Sequence, residues 1–205
     1  MFTMTESELT SAVPADRGRV IATLVAAFTD DPVLRYLFPE DRSYPGHAAA
    51  FFGSLFDKRV RRETVWTIGR GASVAMWDPP QTGAGEPDDD VLAAELPADA
   101  MARVNAYGGA VHAALPTAPF WYLGVLGTHP DHTGQGWGHA VMAAGLRRAA
   151  ADGLPAVLET SNAANVEMYR RAGWHVAQVV TALAPLHIWV MQHAPESGRP
   201  SRLSG

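Results

Sequence analysis

The chain has 205 residues, 47% of them apolar and 18% charged, with a formal net charge of −5, which predicts a single globular domain with a sizeable core. Its basic residues are scattered and it has no apolar run of about 18 residues, so we expect neither a nucleic-acid-binding face nor a membrane span. The absence of cysteine excludes disulfides and thiolate nucleophiles, and with no signal-like start we expect a cytoplasmic protein.

The first half of the chain predicts two helices and then a hairpin. Apolar residues at helical spacing follow Asp16, a residue type that caps helices, and Pro32 ends that pattern because proline disfavours helix in the residue before it. A Pro-, Gly- and Asp-rich loop is expected after the hairpin. The predicted elements are helices over 16–28 and 46–61, strands over 64–70 and 72–77, and the loop over 79–90.

The second half alternates helices with strands. Gly173 is placed to end a helix as the residue that follows its C-cap. No linker divides the chain, so one domain is expected over 1–195, followed by a polar tail over 196–205. The predicted elements are helices over 97–115, 137–151 and 162–171, and strands over 120–128, 156–160, 174–181 and 186–192.

A glycine-rich turn between a strand and a helix is the most informative segment. Three alternating glycines allow the backbone to approach a ligand closely, and the helix that follows offers unpaired N–H groups with a partial positive charge. Such a turn suits a phosphate or pyrophosphate, although a merely tight turn is the alternative. The segment reads His129-Pro130-Asp131-His132-Thr133-Gly134-Gln135-Gly136-Trp137-Gly138.

Two other phosphate-binding patterns fit this turn less well. A dinucleotide fingerprint needs Gly-x-Gly-x-x-Gly and an acidic residue about 20 positions later, which Glu159 supplies. However, His139 stands where the third fingerprint glycine belongs. A Walker-type loop needs Gly-Lys-Ser/Thr, which is absent.

Two motifs in order along the chain resemble the GNAT superfamily of acetyl-CoA-dependent N-acetyltransferases. The glycine turn is similar to the family's Gln/Arg-x-x-Gly-x-Gly/Ala motif. The family's second signature, an Asn followed by Tyr-x-x-x-Gly-Phe, resembles Leu158 to Asn162 followed by Asn165 to Trp174, with Asn162 matching the family asparagine and Asn165 in support. Glu159-Thr160-Ser161-Asn162 and the strand Ile188-Trp189-Val190-Met191 are similar to the puromycin N-acetyltransferase branch.

The resemblance implies an α/β GNAT fold, with a mixed, mostly antiparallel central sheet whose central strands splay apart and with helices on both faces. It implies that coenzyme A lies along the strand before the glycines, with its pyrophosphate on the turn. Thr133 stands where the family has Gln or Arg, and Gln135 replaces a frequent Arg or Lys, which lowers the positive charge there. The implied acetyl-CoA-binding residues are Leu126, Gly127, Thr128, Thr133, Gly134, Gln135, Gly136, Trp137, Gly138, His139, Asn162 and Asn165.

Direct acetyl transfer to an amine needs an acid for the leaving thiolate and a base for the amine. Tyr169 matches the family's tyrosine acid, and a tyrosine hydroxyl is a reasonable donor to a thiolate of similar basicity. Glu159, at a strand end, is the candidate base, with a histidine or water as open alternatives. Tyr107 and His112 lie on the third predicted helix, but the sequence does not place them relative to the substrate.

The acceptor pocket is expected from the first half of the chain and the central strands. Aromatic side chains with one or two acids suit a cationic, partly apolar amine. Phe28, Asp31, Trp77, Trp121 and Tyr122 are the candidates.

The histidines have no metal-like spacing, so no metal is expected. The partner is a small-molecule amine, an aminonucleoside or another antibiotic-like compound, and the chain is a monomer or homodimer. The rival hypothesis is a catalytically silent CoA-binding sensor or assembly module.

Overall fold

The computed structural model describes residues 8–80 and 89–194, which form one seven-stranded sheet with helices on both faces. The helices are α1 (Arg17–Ala27), α2 (Pro32–Leu37), α3 (Tyr44–Val60), α4 (Asp89–Glu95), α5 (Ala98–His112), α6 (Trp137–Ala151) and α7 (Ala163–Arg171). The strands are β1 (Thr10–Ser11), β2 (Val65–Ile68), β3 (Ser73–Asp78), β4 (Trp121–Thr128), β5 (Ala156–Thr160), β6 (His175–Val180) and β7 (Ile188–His193).

The sheet is mixed and mostly antiparallel, as predicted. Its strand order is β1-β2-β3-β4-β5-β7-β6, and β4 with β5 is the parallel pair at its centre. The other neighbouring strands pair antiparallel.

Alternating side chains of the strands pack against two separate layers of helices, one on each face of the sheet. Val74 and Met76 of β3 belong to a core shared with α1, α2, α3, α4 and α5, whereas Ala75 and Trp77 belong to a core shared with α6 and α7. Successive side chains of a strand point to opposite faces, so adjacent residues feed different cores. We call these two sides the α3 face and the α6 face.

The two central strands separate halfway along their length. β4 pairs with β5 only from Trp121 to Leu123, although β4 continues to Thr128 beside β3. A β-bulge interrupts the β3–β4 register at the same level, so that Gly124 has no partner on β3. Bulges bend a strand and increase its twist, and this bend carries the rest of β4 away from β5. The splayed central strands that the family resemblance implies are therefore present.

An ion pair lies against the bulge and explains its glycine. Arg59, at the end of α3 and only 7% exposed, bonds Asp78 at the end of β3 with an N–O distance of 2.5 Å. A Cβ atom at Gly124 would lie 2.9 Å from the Arg59 guanidinium. A side chain at this position would therefore collide with the buried ion pair.

Two helices were not predicted. The Asp30-Asp31-Pro32 turn ends α1 as expected, but Asp31 also begins α2, accepting hydrogen bonds from the N–H groups of Val33 and Leu34 at 2.9 and 3.1 Å. Pro32 then occupies the first turn, where proline is tolerated. Helix α4 begins at Asp89, inside the segment predicted as loop. The rest of that loop, over 81–88, and the tail over 196–205 lie outside the described residues.

Close packing of α6 on β3 provides a stability test at Gly145. A Cβ atom there would lie 2.1 Å from the Trp77 ring. We expect Gly145→Ala to lower the free energy of unfolding by about 1–3 kcal/mol through overpacking. Gly108→Ala, on the exposed side of α5, is the matched control, because a Cβ atom there meets no atom within 4 Å. This substitution should raise the free energy of unfolding by about 0.5–1 kcal/mol. Urea unfolding of both variants measures the difference, and equal stability would contradict this packing.

Candidate active site

A cleft of about 380 Å³ occupies the gap between β4 and β5. Residues of α1, α2, α3 and α5 line it on the α3 face, and residues of α6 and α7 line it on the α6 face. The cleft therefore passes through the sheet, and two molecules can approach each other from opposite faces.

The glycine turn provides a row of unpaired donors at the α6 face. Gly134 and Gly136 have φ angles of 79° and 76°, which glycine adopts without strain, and Gly136 precedes the first residue of α6. Within the described residues, none of the N–H groups over 134–139 donates to a protein acceptor; the first to do so is that of Ala140, which bonds the Gly136 carbonyl. Six consecutive free donors at the start of a 15-residue helix fit a diphosphate.

The free edge of β4 adds a second set of backbone groups. His129 donates its N–H to the Ala72 carbonyl at 2.8 Å. Residues of an antiparallel ladder alternate between bonding the neighbouring strand and pointing away. In this register Gly127 bonds β3, whereas Leu126 and Thr128 direct their N–H and C=O groups into the cleft. An extended chain bearing amides fits this edge as an added strand.

Helix α7 presents Tyr169 to the cleft, and the end of the helix fixes its position. The N–H of Gly173 bonds the Arg170 carbonyl and that of Trp174 bonds the Tyr169 carbonyl, each at 3.1 Å, which is the Schellman pattern. The rings of Trp174 and Tyr169 also meet edge to face, with centroids 6.0 Å apart. The Tyr-x-x-x-Gly-aromatic signature is therefore a helix-ending device, and the predicted role of Gly173 is confirmed.

The environment keeps the Tyr169 hydroxyl protonated. Burial raises its pKa above the usual tyrosine value, and the nearby carboxylates of Glu159 and Asp31 raise it further. No described residue accepts or donates a hydrogen bond at this hydroxyl. The cleft therefore contains an uncommitted proton donor beside two acids.

Glu159 lies at the centre of a small polar network. The Tyr107 hydroxyl donates to its Oε1 at 3.0 Å, and the Tyr122 hydroxyl donates to its Oε2. Burial raises the pKa of the Glu159 carboxyl, while these two hydrogen bonds and the positive charge of Arg59 oppose the rise. The two tyrosines hold the carboxylate in place, and its pKa lies above that of an exposed glutamate.

Phe28 and Asp31 mark the α3 face of the cleft. The Phe28 ring packs on Phe52 with centroids 5.2 Å apart. Burial raises the pKa of the Asp31 carboxyl, against the hydrogen bonds from Leu34 and Val33. Both helix-capping bonds use Oδ1 of Asp31, so its second oxygen is available to the cleft.

The structure brings most of the candidate residues to the cleft. Those that line it are Phe28, Asp31, Leu126, Gly127, Thr128, Thr133, Gly138, His139, Glu159, Asn165 and Tyr169. Of the two asparagines, Asn165 lines the cleft one helical turn before Tyr169, whereas the Asn162 side chain caps α7 by accepting from the Ala164 N–H at 2.9 Å. Gln135 is exposed, and Trp137 stacks on His132 with centroids 5.2 Å apart.

Three aromatic residues predicted for the acceptor pocket lie elsewhere. Trp77 is fully buried on the α6 face, and Trp121 is 2% exposed there, donating its indole N–H to Asp152 at 2.8 Å. Tyr122 is on the opposite face, where its hydroxyl donates to Glu159, and it is not part of the cleft lining. Both tryptophans are packed within the core of the α6 face, and the sequence pattern does not distinguish a buried core aromatic residue from one that lines a cleft.

Other residues of the cleft were not assigned to it from the sequence. Phe51, Phe52 and Leu55 line it from α3, where the pattern predicted only the apolar side of a helix. Tyr107 also reaches it from α5, whereas His112 lies exposed at the end of that helix. No sequence signal distinguishes a cleft-facing apolar residue from a core one.

Neither a metal cluster nor a membrane-crossing helix is found in the described ranges. Residues 8–80 and 89–194 contain no group of three or more His, Asp or Glu side chains arranged to hold a metal ion. None of the helices in the same ranges combines the length and the apolar character that a membrane span requires.

Comparison with known proteins agrees with this geometry. The model of the Acetyltransferase (GNAT) family matches residues 76–174. The structure of arylalkylamine N-acetyltransferase 2 from Aedes aegypti aligns with a TM-score of 0.71 at 10% identity, over 93% of this chain and 99% of that chain. A structure from Corynebacterium glutamicum, described as histone acetyltransferase HPA2 and related acetyltransferase, aligns with a TM-score of 0.61 at 20% identity, over 96% of this chain and 99% of that chain. The structural likeness shows a common fold, and the family model matches the part of that fold from Met76 in β3 to Trp174, just after α7.

Proposed function

We propose that the chain is an N-acetyltransferase that transfers acetyl from acetyl-CoA directly to the primary amine of a small molecule. The observation that carries this proposal is that the free β4 edge and an uncommitted tyrosine hydroxyl share one cleft with the end of the row of unpaired N–H groups over 134–139, where Gly138 and His139 line it. The β4 edge and the N–H groups fit the amides and diphosphate of coenzyme A, and the hydroxyl fits an acid.

Acetyl-CoA supplies an activated acetyl thioester. The N–H groups over 134–139 hold its diphosphate, and the cleft-facing backbone of Leu126 and Thr128 pairs with its pantetheine amides. The Leu126 N–H is also the donor that stabilises negative charge on the thioester carbonyl oxygen, an effect worth about 3 kcal/mol per donor. Asn165 supports the cofactor from α7.

Two protons move during the reaction, and each has a residue to carry it. Glu159 takes the proton that the amine loses, directly or through water, which suits a carboxylate whose burial raises its pKa. Tyr169 gives its proton to the departing thiolate. The negative charges near Tyr169 disfavour the phenolate that remains, so its proton is readily recovered.

The resemblance to the puromycin N-acetyltransferase branch favours an aminonucleoside or another antibiotic-like amine as acceptor. The similarly folded protein from Aedes aegypti is named for arylalkylamines, which share a primary amine on an apolar body.

Thiol release from acetyl-CoA tests the proposal most directly. A thiol-reactive dye follows the reaction across a panel of amines that includes puromycin, and the chain contributes no background because it has no cysteine. Release that depends on an added amine supports the proposal. Binding of acetyl-CoA without release for any amine favours the silent CoA-binding module, and failure to bind acetyl-CoA overturns the assignment of the glycine turn.

Replacing Tyr169 with Phe tests the acid. The variant keeps the ring packing on Trp174 and loses only the hydroxyl, so we expect kcat to fall about 100- to 10,000-fold while acetyl-CoA affinity stays unchanged. Tyr36→Phe, at a partly buried tyrosine outside the cleft lining, is the matched control. An unchanged kcat in Tyr169→Phe would show that another group protonates the thiolate.

Opposite charges at Gln135 test the diphosphate site. This exposed side chain sits among the six free N–H groups, so Gln135→Lys should tighten acetyl-CoA binding about three- to tenfold and Gln135→Glu should weaken it equally. Both effects should shrink in about 0.5 M salt. The same substitutions at Gln178, exposed on β6, serve as controls, and titration calorimetry gives the dissociation constants. Equal affinities for the two Gln135 variants would place the diphosphate elsewhere.

Glu159→Gln should reduce activity and yet stabilise the fold at neutral pH. Because burial raises the pKa of this carboxyl in the folded chain, its ionisation costs stability as pH rises through that value. The variant avoids the cost, and its advantage should vanish as pH falls below the usual carboxyl pKa. We expect kcat/KM to fall about 100-fold or more and the Tm at pH 7.5 to rise. Glu167→Gln, exposed on α7, is the control, and full activity in Glu159→Gln would exclude it as the base.

A further inference from the structure

The α3 face of the cleft forms a chamber with its own chemistry. The part of the cleft on this face is here named the acceptor chamber, and it is lined by Phe28, Asp31, Phe51, Phe52, Leu55 and Tyr107. The free N–H groups of the glycine turn lie on the opposite face, at the start of α6. A molecule in the chamber therefore meets the acetyl group from the side away from the diphosphate.

The walls of the chamber are aromatic and apolar. Phe52 contacts Phe28 and Phe51, with ring centroids 5.2 and 5.7 Å apart, and the outer two rings are partly exposed, as is Leu55. Partly exposed rings in a cleft lose water contact when an apolar group covers them. A flat apolar body fits this lining.

The charge of the cleft is negative. Its described lining includes the carboxylates of Asp31 and Glu159, and it contains neither lysine nor arginine. Arg59, whose charge acts on Glu159, is buried and neutralised by Asp78. The fields of Asp31 and Glu159 overlap, because both raise the pKa values of Tyr107 and Tyr169.

Asp31 has the geometry to act on a bound molecule. Its Oδ1 accepts both helix-capping N–H groups, which fixes the side chain, while Oδ2 carries no hydrogen bond from a described residue. A carboxylate held in this way attracts a cation in the chamber and repels an anion there, and partial burial strengthens both effects.

We propose that the acceptor chamber takes a primary amine borne on a flat apolar body and rejects a molecule with a carboxylate beside that amine, and that Asp31 determines this rejection. The inference rests on the proposed function, since it concerns the acceptor of the same reaction. The substrate class is therefore arylalkylamines and amides or esters of aromatic amino acids, and excludes the free amino acids.

Matched acceptors test the rejection. L-Phenylalaninamide and L-phenylalanine share the ring and the carbon that bears the amine, and they differ in the carboxylate, which also raises the pKa of the amine, so kcat/KM is compared per neutral amine. We expect kcat/KM for the amide to exceed that for the acid at least tenfold at pH 8, since like charges in one cleft weaken binding by about ten- to a hundredfold. Calorimetric binding of both compounds provides a second readout that does not require turnover.

Asp31→Asn tests the residue. Asparagine also caps helices well, so α2 is retained while the charge is removed. We expect the ratio of kcat/KM for the amide to kcat/KM for the acid to fall about three- to tenfold. The value for the acid should rise and the value for the amide should fall. Asp30→Asn removes the same charge from the adjacent exposed residue outside the cleft lining, and its ratio should match that of the unchanged chain.

The outcomes separate this inference from the proposed function. Equal use of both acceptors, or a ratio that Asp31→Asn does not change, overturns the inference and leaves the acetyltransferase proposal standing. Preferential binding of the amide without turnover supports the chamber and contradicts the proposed function. Absence of both binding and turnover with either compound overturns the inference, and the broader amine panel then decides the proposed function alone.

Discussion

Strands β4 and β5 each keep one hydrogen-bonded neighbour after they part from one another, β3 on one side and β7 on the other. Because of this, both remain extended while the backbone groups between them lose their partners. A buried N–H or C=O without a partner is costly, so a gap of this kind must be filled by water or by a ligand with complementary amides. The bulge at Gly124, with the Arg59–Asp78 ion pair against it, coincides with the point of separation. The binding edge is thus created by an interruption of the sheet rather than by added loops.

The two ends of the cleft differ in the kind of charge that they accept. The start of α6 presents only donors, whereas the opposite face presents carboxylates and aromatic rings. In the proposed reaction, an anionic cofactor and a cationic acceptor are each favoured at one end of the cleft and disfavoured at the other, and this charge difference orients both. Tyr169 and Glu159 both line the cleft, and the charge of Glu159 raises the pKa of Tyr169, so the protonation of one residue is coupled to that of the other.

The sequence predicts the parts of this arrangement that depend on local chemistry. The glycine turn, the helix ended by Gly173 and the order of the later strands follow from residue patterns of a few positions. Helix α2 does not, because Asp31 and Pro32 fit a chain reversal as well as a helix start. The expectation that Trp77 and Trp121 line the cleft did not hold for a different reason: both are buried in the α6-face core, and such burial depends on long-range packing that a local sequence pattern does not show. The pairing of Tyr107 with Glu159 joins elements far apart in the chain and has no sequence signature.

Both ends of α7 are fixed, by the Asn162 cap at its start and by the Schellman bonds to Trp174 at its close. Between them, Asn165 and Tyr169 occupy one side of the helix. Each residue of an α-helix turns by about 100°, so inserting or deleting one residue within this helix would rotate one anchored end relative to the other. The Asn165 amide and the Tyr169 hydroxyl would then no longer face the cleft together. Substitutions on the outer surface of α7 therefore leave this arrangement intact, whereas a change in the length of the helix does not.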